Sequence, residues 1–312
     1  MFDFRAGVGY FDSVMPRSKV VIVRGAGSAA ADGTVDGAVL GRLFEKGLRL
    51  LTGQPSAAAA LGSLFKASDR VGIKINTIAG RRLTTPPEAA LPLARLLVQA
   101  GLPERQIHIW DRTSREMREA GYALNIAGAA FRILGTDARG LGYKPDPIEH
   151  RSIGSRVSAV QADLVSASIS FAVLKDHGLA GVTAGMKNYF GAIHNPNKYH
   201  DDNCDPAVAD LFDAPPVKSK HRLTVLDARI VQFHRGPSFH SAWAQRSETL
   251  VFSLDPVAAD WAGWQMIEKL RRAKGLPSLE EDGRPPRYIR TAADLGLGRA
   301  GAEAVEIVED AV

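Results

Sequence analysis

Short apolar runs alternate with helical patterns along most of the chain. Residues 19–23 and 107–110 are apolar except for Lys19 and His108 and are rich in β-branched side chains, which is typical of strands buried on both faces. Residues 36–51 instead place apolar side chains three and four positions apart, which predicts an amphipathic helix. This alternation predicts an α/β fold, with a mostly parallel, doubly wound sheet and helices on both faces.

The same patterns predict the remaining elements and their grouping into domains. Further strands are expected at residues 70–76, 131–134, 162–166, 165–174, 223–226, 249–253 and 305–308. Further helices are expected at residues 88–100, 114–120, 205–212, 257–271 and near Ala292. We expect an N-terminal arm at residues 1–16 and a single α/β unit at residues 17–312. The alternative is a unit of two lobes, divided near the loop-rich residues 136–156.

Polar side chains end or follow several of the predicted strands. In open parallel sheets, ligands bind beyond the carboxyl ends of the strands. The residues expected to gather along that edge are Asn76, Asp111, Lys175, His177 and Asp227. Asp111 has a second interpretation, as the N-cap of the helix at residues 114–120.

The stretch at residues 174–200 combines glycines with basic side chains. Its glycines are too frequent for a helix that is stable on its own, and glycine suits a close approach of the backbone to a ligand. The residues expected to contact a bound molecule or cofactor are Lys74, Asn76, Asp111, Gly181, Gly185, Asn188 and Asp227. A solvated surface loop is the alternative interpretation of this stretch.

Lysines and histidines in this stretch indicate acid–base, nucleophilic or metal chemistry. Histidine exchanges protons near neutral pH, so His177 is a candidate general acid or base. A desolvated lysine beside other cations has a lowered pKa and becomes a nucleophile, which makes Lys187 and Lys175 candidates for catalysis and for holding an anion. His194 and His200 are candidate ligands for a divalent metal such as nickel, zinc or iron, and a solvated loop is again the alternative.

Composition limits the partners and the compartment. The chain has 312 residues, a formal net charge of +5 and a pI of about 9.3, which suits a small anionic molecule. The basic residues are dispersed, so nucleic acid is not expected, and the single cysteine, Cys204, excludes an iron–sulfur cluster on the chain's own thiolates. No apolar run is long enough for a membrane span, and residues 1–16 have no apolar signal core, so a cytoplasmic location is expected. An export signal trimmed from a longer N-terminus is the alternative, and a homo-oligomer is compatible with the sequence.

Recognisable motifs narrow the function further. Residues 25–30 match G-x-G-x-x-A, but the helical pattern begins only near Asp36, so a plain glycine turn competes with a dinucleotide site. The chain has no G-x-S-x-G elbow, P-loop or H-E-x-x-H helix, which excludes those hydrolase classes.

Several segments occur in an order that resembles a known family. They are VGIKIN, TTPPEA, the strand ending in Asp111, LKDHGLAGVTAGMKNYFG, the strand ending in Asp227, Gly236-Pro237, SLDPVAAD and AADLGLG. From Val20 onward this order is similar to that of the uncharacterised family called domain of unknown function 362. That family has no settled activity, so the resemblance implies no reaction. Some of its members carry a ferredoxin-type cysteine cluster or an export signal, and this sequence departs from both.

The H-x3-G-x3-G-x-K segment at residues 177–187 is also similar to a segment of the nickel-pincer lactate racemase family. The resemblance implies Lys187 as the tether of a pyridinium-derived cofactor and His177 as an acid/base. It also implies His194 or His200 as a nickel ligand, although the spacing to that ligand is not matched. A second catalytic histidine, expected much earlier in the chain, has no clear counterpart.

Two functions from different classes remain. The first is an enzyme acting on a small carboxylate-bearing anion, either an isomerase of racemase or epimerase type or an oxidoreductase. In it, His177 is the acid/base and Lys187 the covalent or electrostatic anchor. The second is a non-catalytic protein that binds or delivers a metal or an anionic cofactor. Turnover of the bound molecule distinguishes the two.

Overall fold

A nine-stranded sheet forms the centre of the structure, a computed structural model that describes residues 16–29 and 35–312. The strands are β1 (Ser18–Arg24), β2 (Val71–Lys74), β3 (Ile107–Asp111), β4 (Arg132–Gly135), β5 (Ile148–His150), β6 (Ile153–Ser155), β7 (Ala167–His177), β8 (Gly181–Thr183), β9 (His221–Gln232), β10 (Ala244–Ser253) and β11 (Val305–Ala311). The order across the sheet is β11-β1-β10-β9-β7-β2-β3-β4, with β8 paired to β7 and with β5 and β6 in a separate hairpin. The arm predicted at residues 1–16 lies outside the described residues except for Pro16.

Helices cover both faces of this sheet. They are α1 (Gly37–Thr52), α2 (Ala57–Leu64), α3 (Pro87–Gln99), α4 (Ser114–Glu119), α5 (Ala207–Asp213), α6 (Pro215–Lys218), α7 (Pro256–Ala273) and α8 (Arg287–Asp294). Helices α1, α2 and α3 pack together over one face, whereas α7 packs against β9 and β10 from the other and contacts α8. In the described part of the chain, no helix has the length and apolar character needed to cross a membrane.

The predicted α/β fold with a mostly parallel, doubly wound sheet is confirmed. The β11–β1, β9–β7, β7–β2, β2–β3 and β3–β4 pairs are parallel, while β10 runs antiparallel to β1 and β9. Successive side chains of a strand point to opposite faces, so Val21 lies in the core beneath α1 while its neighbour Val20 lies in the core beneath α7.

Strand β7 is buried at every position because helices and loops cover both of its faces. Its last three residues, Lys175, Asp176 and His177, are nevertheless polar. Burying polar groups costs free energy unless each finds a partner, so the surroundings of these three residues indicate what the end of β7 is built to hold.

Two predicted strands differ from the structure. Residues 162–166 were expected to form a strand, but Val160–Leu164 is π-helical and β7 begins only at Ala167. Short apolar runs do not by themselves distinguish a strand from a buried helical turn. The strand expected to end at Asp227 continues as β9 to Gln232, so Asp227 lies inside a strand.

The glycine turn after β1 does not have the geometry of a dinucleotide site. Helix α1 begins at Gly37, beyond the turn, and the Gly27 N–H donates to Glu248 Oε1 at 2.9 Å. A carboxylate at this position would repel a pyrophosphate. Residues 30–34 lie outside the described part of the chain, and residues 25–29 form a plain turn.

Residues 136–156, where a division into two lobes was considered, contain the β5–β6 hairpin. Ser155 Oγ donates to the His194 carbonyl oxygen at 2.9 Å, and the Ser152 N–H donates to Asp210 Oδ2 at 3.1 Å. These bonds join the segment to later parts of the chain. The one-unit and two-lobe interpretations both stay predictions.

Candidate functional site

A pocket of about 360 Å³ lies at the carboxyl ends of β2, β3 and β7. This volume is in the range of small-molecule sites, and the place is where open parallel sheets bind ligands. The pocket is lined by eight of the predicted site residues, Lys74, Asn76, Asp111, Lys175, His177, Lys187, Asn188 and His200. The structure therefore brings together residues that are up to 126 positions apart (200 − 74).

Lys74 and Asp111 form the buried floor of the pocket. Lys74 Nζ lies 2.6 Å from Asp111 Oδ1, 2.7 Å from the Ile75 carbonyl oxygen and 3.1 Å from Asn188 Oδ1. An ammonium has three N–H donors, so these partners satisfy Lys74 completely. Asp111 Oδ2 in turn accepts from the Thr77 N–H and hydroxyl. Lys74 and Asp111 are thus hydrogen-bonded within the protein, and Lys74 has no N–H donor left for a ligand.

Asp111 therefore does not cap the following helix. The side chain of Thr113 is the N-cap of α4 and accepts the Glu116 N–H at 3.2 Å. The two interpretations of Asp111 are resolved in favour of a place in the pocket.

Lys175 is fully buried, and its ammonium makes one hydrogen bond with the described residues. Its Nζ donates to Asn76 Oδ1 at 3.1 Å, which leaves two N–H groups for other acceptors. Burial lowers the pKa of Lys175 to about 7; Asp111 opposes the shift and Lys187 adds to it. At neutral pH a large fraction of Lys175 is thus a neutral amine, which can accept a proton.

Lys187 is the second buried lysine of the pocket. Its Nζ lies 3.3 Å from His200 Nε2 and 4.2 Å from the centre of the Phe190 ring. Burial lowers the pKa of Lys187 to about 8, and the nearby Cys204 thiol opposes the shift. Like Lys175, it has no carboxylate salt-bridge partner among the described residues. The carboxylates that line the pocket, Asp111 and Glu116, act on Lys175 only without a direct salt bridge.

His177 is held in one tautomer by the turn that follows it. The backbone N–H groups of Leu179 and Ala180 both donate to His177 Nδ1, at 3.2 and 3.1 Å. A backbone N–H can only donate, so Nδ1 is the acceptor and the neutral ring carries its hydrogen on Nε2. Burial, with Lys187, His200 and Lys175 nearby, holds the pKa of His177 far below its usual range. His177 therefore presents an N–H donor in this structure, and its predicted acid/base role stays a prediction.

His200 has the opposite tautomer. Its Nδ1 lies 3.0 Å from the Pro196 carbonyl oxygen, which can only accept, so Nδ1 carries the hydrogen and Nε2 accepts from Lys187. The His200 ring stacks on the His177 ring, with centroids 5.4 Å apart. Burial, followed by the charge of Lys187, lowers the pKa of His200. Lys187 thus donates a hydrogen bond to His200 at the pocket wall.

Asp260 of α7 supports the segment that carries Lys187. Its buried carboxylate accepts the Gly185 N–H at 2.7 Å, the Met186 N–H at 3.1 Å and the Tyr288 hydroxyl at 3.3 Å. Burial raises the pKa of Asp260 to about 7 despite these donors. Asp260 lies on the side of α7 that faces the buried 185–188 segment.

Four predicted site residues lie outside the pocket. Asp227 is inside β9 and pairs with Arg229, with Nη2 to Oδ2 at 2.7 Å. Gly181 has a φ of 72°, and Gly185 packs closely against Thr224 and Asp260. Both glycines are therefore explained by the backbone conformation and by close packing. His194 is exposed and packs edge-on against Tyr143.

This donor set does not fit a metal ion held by protein ligands at His194 and His200. His194 lies outside the pocket, while both ring nitrogens of His200 are engaged by Pro196 and Lys187. Among the described residues, no three His, Cys, Asp or Glu side chains converge as a metal-binding group.

Sequence reasoning missed several residues that line the pocket. They are Ile78, Arg112, Glu116, Gly178, Leu179, Thr183, Phe190, Gly191, Pro196, Asn197 and Pro237. Phe190 had a sequence signal, because it follows Lys187 by three positions and residues so spaced eclipse in a 3₁₀-helix. Gly191 had none: a Cβ there would lie 2.8 Å from Lys74 Nζ, which only the fold reveals.

Residues 71–265 match the model of a protein family described as domain of unknown function (DUF362). The match covers more than half of the chain and includes the ends of β2, β3 and β7. The chain belongs to this family, as the sequence motifs predicted. No curated protein matches the chain.

Two solved structures show weak likeness to this chain. One is the lactate racemase apoprotein from Thermoanaerobacterium thermosaccharolyticum, with 12% identity, a TM-score of 0.45, and coverage of 80% of this chain and 57% of that chain. The other is a protein from Thermotoga maritima, with 12% identity, a TM-score of 0.46, and coverage of 78% and 60%. The chain thus spans about three fifths of the length of each. Likeness at this level carries no functional argument.

Proposed function

We propose that this protein is an enzyme that binds a small carboxylate-bearing molecule and moves a proton at the carbon next to the carboxylate. The observation that carries the proposal is the pair of buried lysines, Lys175 and Lys187, which face one pocket and form no salt bridge with a carboxylate of the described residues. Burying two like charges is costly, so the pair is best explained by a ligand that brings the opposite charge.

The two lysines differ in the chemistry that they support. Lys175, with a pKa of about 7, is poised as a general base near neutral pH. Lys187, with a pKa of about 8, remains mostly an ammonium and donates a hydrogen bond to His200 Nε2. His177 presents a fixed Nε2–H, and a neutral imidazole of this kind can stabilise negative charge on a substrate oxygen.

The proton transfer follows from these roles. The Lys175 amine takes the hydrogen of the substrate carbon as a proton, so the C–H bond breaks, an N–H bond forms and the electron pair delocalises into the carboxylate. His177 Nε2–H and the Lys187 ammonium stabilise the added negative charge. The Lys187 ammonium then gives a proton to the carbon. Afterwards Lys175 releases its proton to water and Lys187 takes one back from water, which restores the starting state. Return to the opposite face inverts the centre, as in a racemase or epimerase.

The test is hydrogen exchange at that carbon. Purified protein is incubated in heavy water with 2-hydroxy and 2-amino acids of short to medium chain length, and deuterium at carbon 2 is followed by NMR. We expect exchange with the unmodified protein and a loss of about 10²–10⁴-fold in Lys175→Met, the usual contribution of a general base. The matched control is Lys269→Met, since Lys269 is an exposed lysine of α7 outside the pocket.

Each other outcome also decides something. Unchanged exchange in Lys175→Met rejects Lys175 as the base. Binding without exchange of any acid supports the alternative of a non-catalytic protein that captures an anion. If no acid in the series binds, the proposed carboxylate site itself is rejected.

A covalent cofactor on Lys187 is a second candidate that one observation favours. With its pKa lowered to about 8, Lys187 has a fraction of neutral amine that can form a covalent link. Phe190 and His200 would contact the bound group, which would supply hydride or electron-pair acceptance that side chains lack. A mass increment on the intact protein that maps to Lys187 supports this candidate; an unmodified chain from its native host rejects it.

A further inference from the structure

We infer that the substrate is not a minimal carboxylate but an amphipathic acid whose apolar tail lies against Ile78 and Leu179 at the mouth of the pocket. This inference rests on the proposed function, because the buried lysines hold the carboxylate end. It adds the chemical class of the rest of the molecule.

The rim of the pocket carries unusual exposed apolar surface. Ile78 is 53% exposed and Leu179 is 51% exposed, and these are the two most exposed large apolar side chains among the described residues. Both line the one pocket that contains the buried lysines. Exposed apolar side chains that adjoin a ligand pocket are typical of binding surfaces, since their exposure to water is relieved only when a ligand covers them.

The two rim side chains sit on turns that the site itself holds in place. Thr77, which precedes Ile78, is anchored by two hydrogen bonds to Asp111 Oδ2. The Leu179 N–H donates to His177 Nδ1, and its carbonyl oxygen accepts from Asn203 Nδ2 at 3.0 Å. The rim is therefore tied to the same residues that form the pocket floor and wall.

The size of the pocket agrees with a tail. A volume of about 360 Å³ lies within the range of roughly 300–1,000 Å³ in which drug-sized ligands bind. Pro196, Pro237 and Phe190 add further apolar side chains to the lining of the same pocket. The pocket thus combines polar groups, which suit a carboxylate, with apolar side chains, which suit an alkyl or aryl chain.

The test is the dissociation constant of straight-chain monocarboxylates, from propionate to decanoate, measured by calorimetry on the full chain. A fully buried methylene contributes about fourfold in affinity and a half-covered one about twofold, so we expect affinity to rise by about two- to fourfold per methylene until the chain leaves the rim. In the double variant Ile78→Ser, Leu179→Ser we expect the rise to flatten, so that decanoate loses more affinity than propionate does. Exposed positions tolerate such changes without loss of the fold.

The matched control is Leu254→Ser, at an exposed leucine (44%) outside this pocket, which keeps the slope of the unmodified protein. Equal affinity for propionate and decanoate overturns the tail while leaving the carboxylate site intact. A slope that survives in the double variant overturns the assignment to Ile78 and Leu179. Failure of every acid to bind rejects the proposed function itself, so the two failures are distinguishable.

Discussion

The stacked rings of His177 and His200 are in opposite tautomers. His177 accepts two backbone N–H groups at Nδ1 and offers Nε2–H, whereas His200 donates from Nδ1 to a carbonyl and offers the Nε2 lone pair. Histidine identity alone suggested that His177 exchanges protons. In the structure, protonating His177 at Nδ1 would break both backbone bonds, whereas His200 Nε2 already accepts a hydrogen bond from Lys187.

The tautomers give a prediction that needs no substrate. We expect ¹⁵N NMR to show His177 as the neutral Nε2–H tautomer throughout the acidic range to about pH 5, because burial and neighbouring cations hold its pKa far below the usual value. His200 should show the Nδ1–H tautomer. His240, an exposed histidine outside the pocket, serves as the internal reference. A normal titration of His177 near 6.5 contradicts its role as a fixed donor.

At the scale of elements, α7 and the segment before Lys187 act together. Asp260 of α7 accepts the backbone N–H groups of Gly185 and Met186, which lie just before Lys187. The segment has little regular structure of its own beyond the 3₁₀-helix Lys187–Ala192. Its shape therefore depends on a carboxylate 75 residues away from Gly185 in the chain.

Removing that carboxylate should destabilise the fold. In Asp260→Ala two buried N–H groups lose their acceptor, so we expect the free energy of unfolding to fall by about 2–4 kcal/mol in urea denaturation. The folded pKa of about 7 lies above the ordinary 3.8, so the favourable contribution of Asp260 is largest at low pH and declines as pH rises through 7. The loss in the variant should thus be larger near pH 5 than near pH 8.

The control for this prediction is Asp146→Ala, at an exposed aspartate in a loop, which should change the free energy of unfolding by no more than about 0.5 kcal/mol. Equal stability of Asp260→Ala and the unmodified protein would show that the 185–188 segment does not depend on α7.

The elements show how far sequence reasoning reaches. Periodicity identified α1 and β3 well, and the strand-end rule brought Asn76, Asp111 and Lys175 to one pocket. It misplaced Asp227, because the apolar run stops at Asp227 while the strand continues, with the charge neutralised by Arg229. Arg229 lies two positions after Asp227 on the same strand, so the two side chains are on the same face. A pattern of hydrophobicity does not show this ion pair.

The remaining site residues were missed for a related reason. Ile78 and Leu179 lie in turns, where an apolar residue gives no signal for a ligand. The tautomer of His177 depends on backbone N–H groups, which every sequence has. Residue types could predict which groups are near the site, but the roles of these groups depend on contacts that only the fold creates.

On the scale of the whole molecule, two sources of positive charge must be distinguished. The chain carries a formal net charge of +5, which attracts anions without specificity. The buried pair Lys175 and Lys187 attracts one carboxylate inside a pocket. Salt screens exposed charges more strongly than buried ones, so ionic strength separates the two effects.

Thermal unfolding measures this difference. A carboxylate ligand at about one hundred times its dissociation constant should stabilise the folded protein by about 2.7 kcal/mol, seen as a rise in Tm of a few degrees. We expect the rise to persist between about 0.01 and 0.15 M ionic strength and to be lost in Lys175→Met. A rise that disappears with salt, or that survives in Lys175→Met, points to the surface charge instead.

The central claim is that the two buried lysines, Lys175 and Lys187, form the binding site of an anion. Measuring the pKa values of these two lysines tests the claim most directly. Selectively ¹³C-labelled lysines are followed by NMR across pH, with Lys175→Met and Lys187→Met to assign the signals. We expect two signals that titrate near 7 and 8, and both pKa values should rise when a carboxylate binds, because the anion favours the ammonium forms. If both lysines titrate near 10.4, the value of an unperturbed lysine, and no carboxylate shifts them, the claim is contradicted.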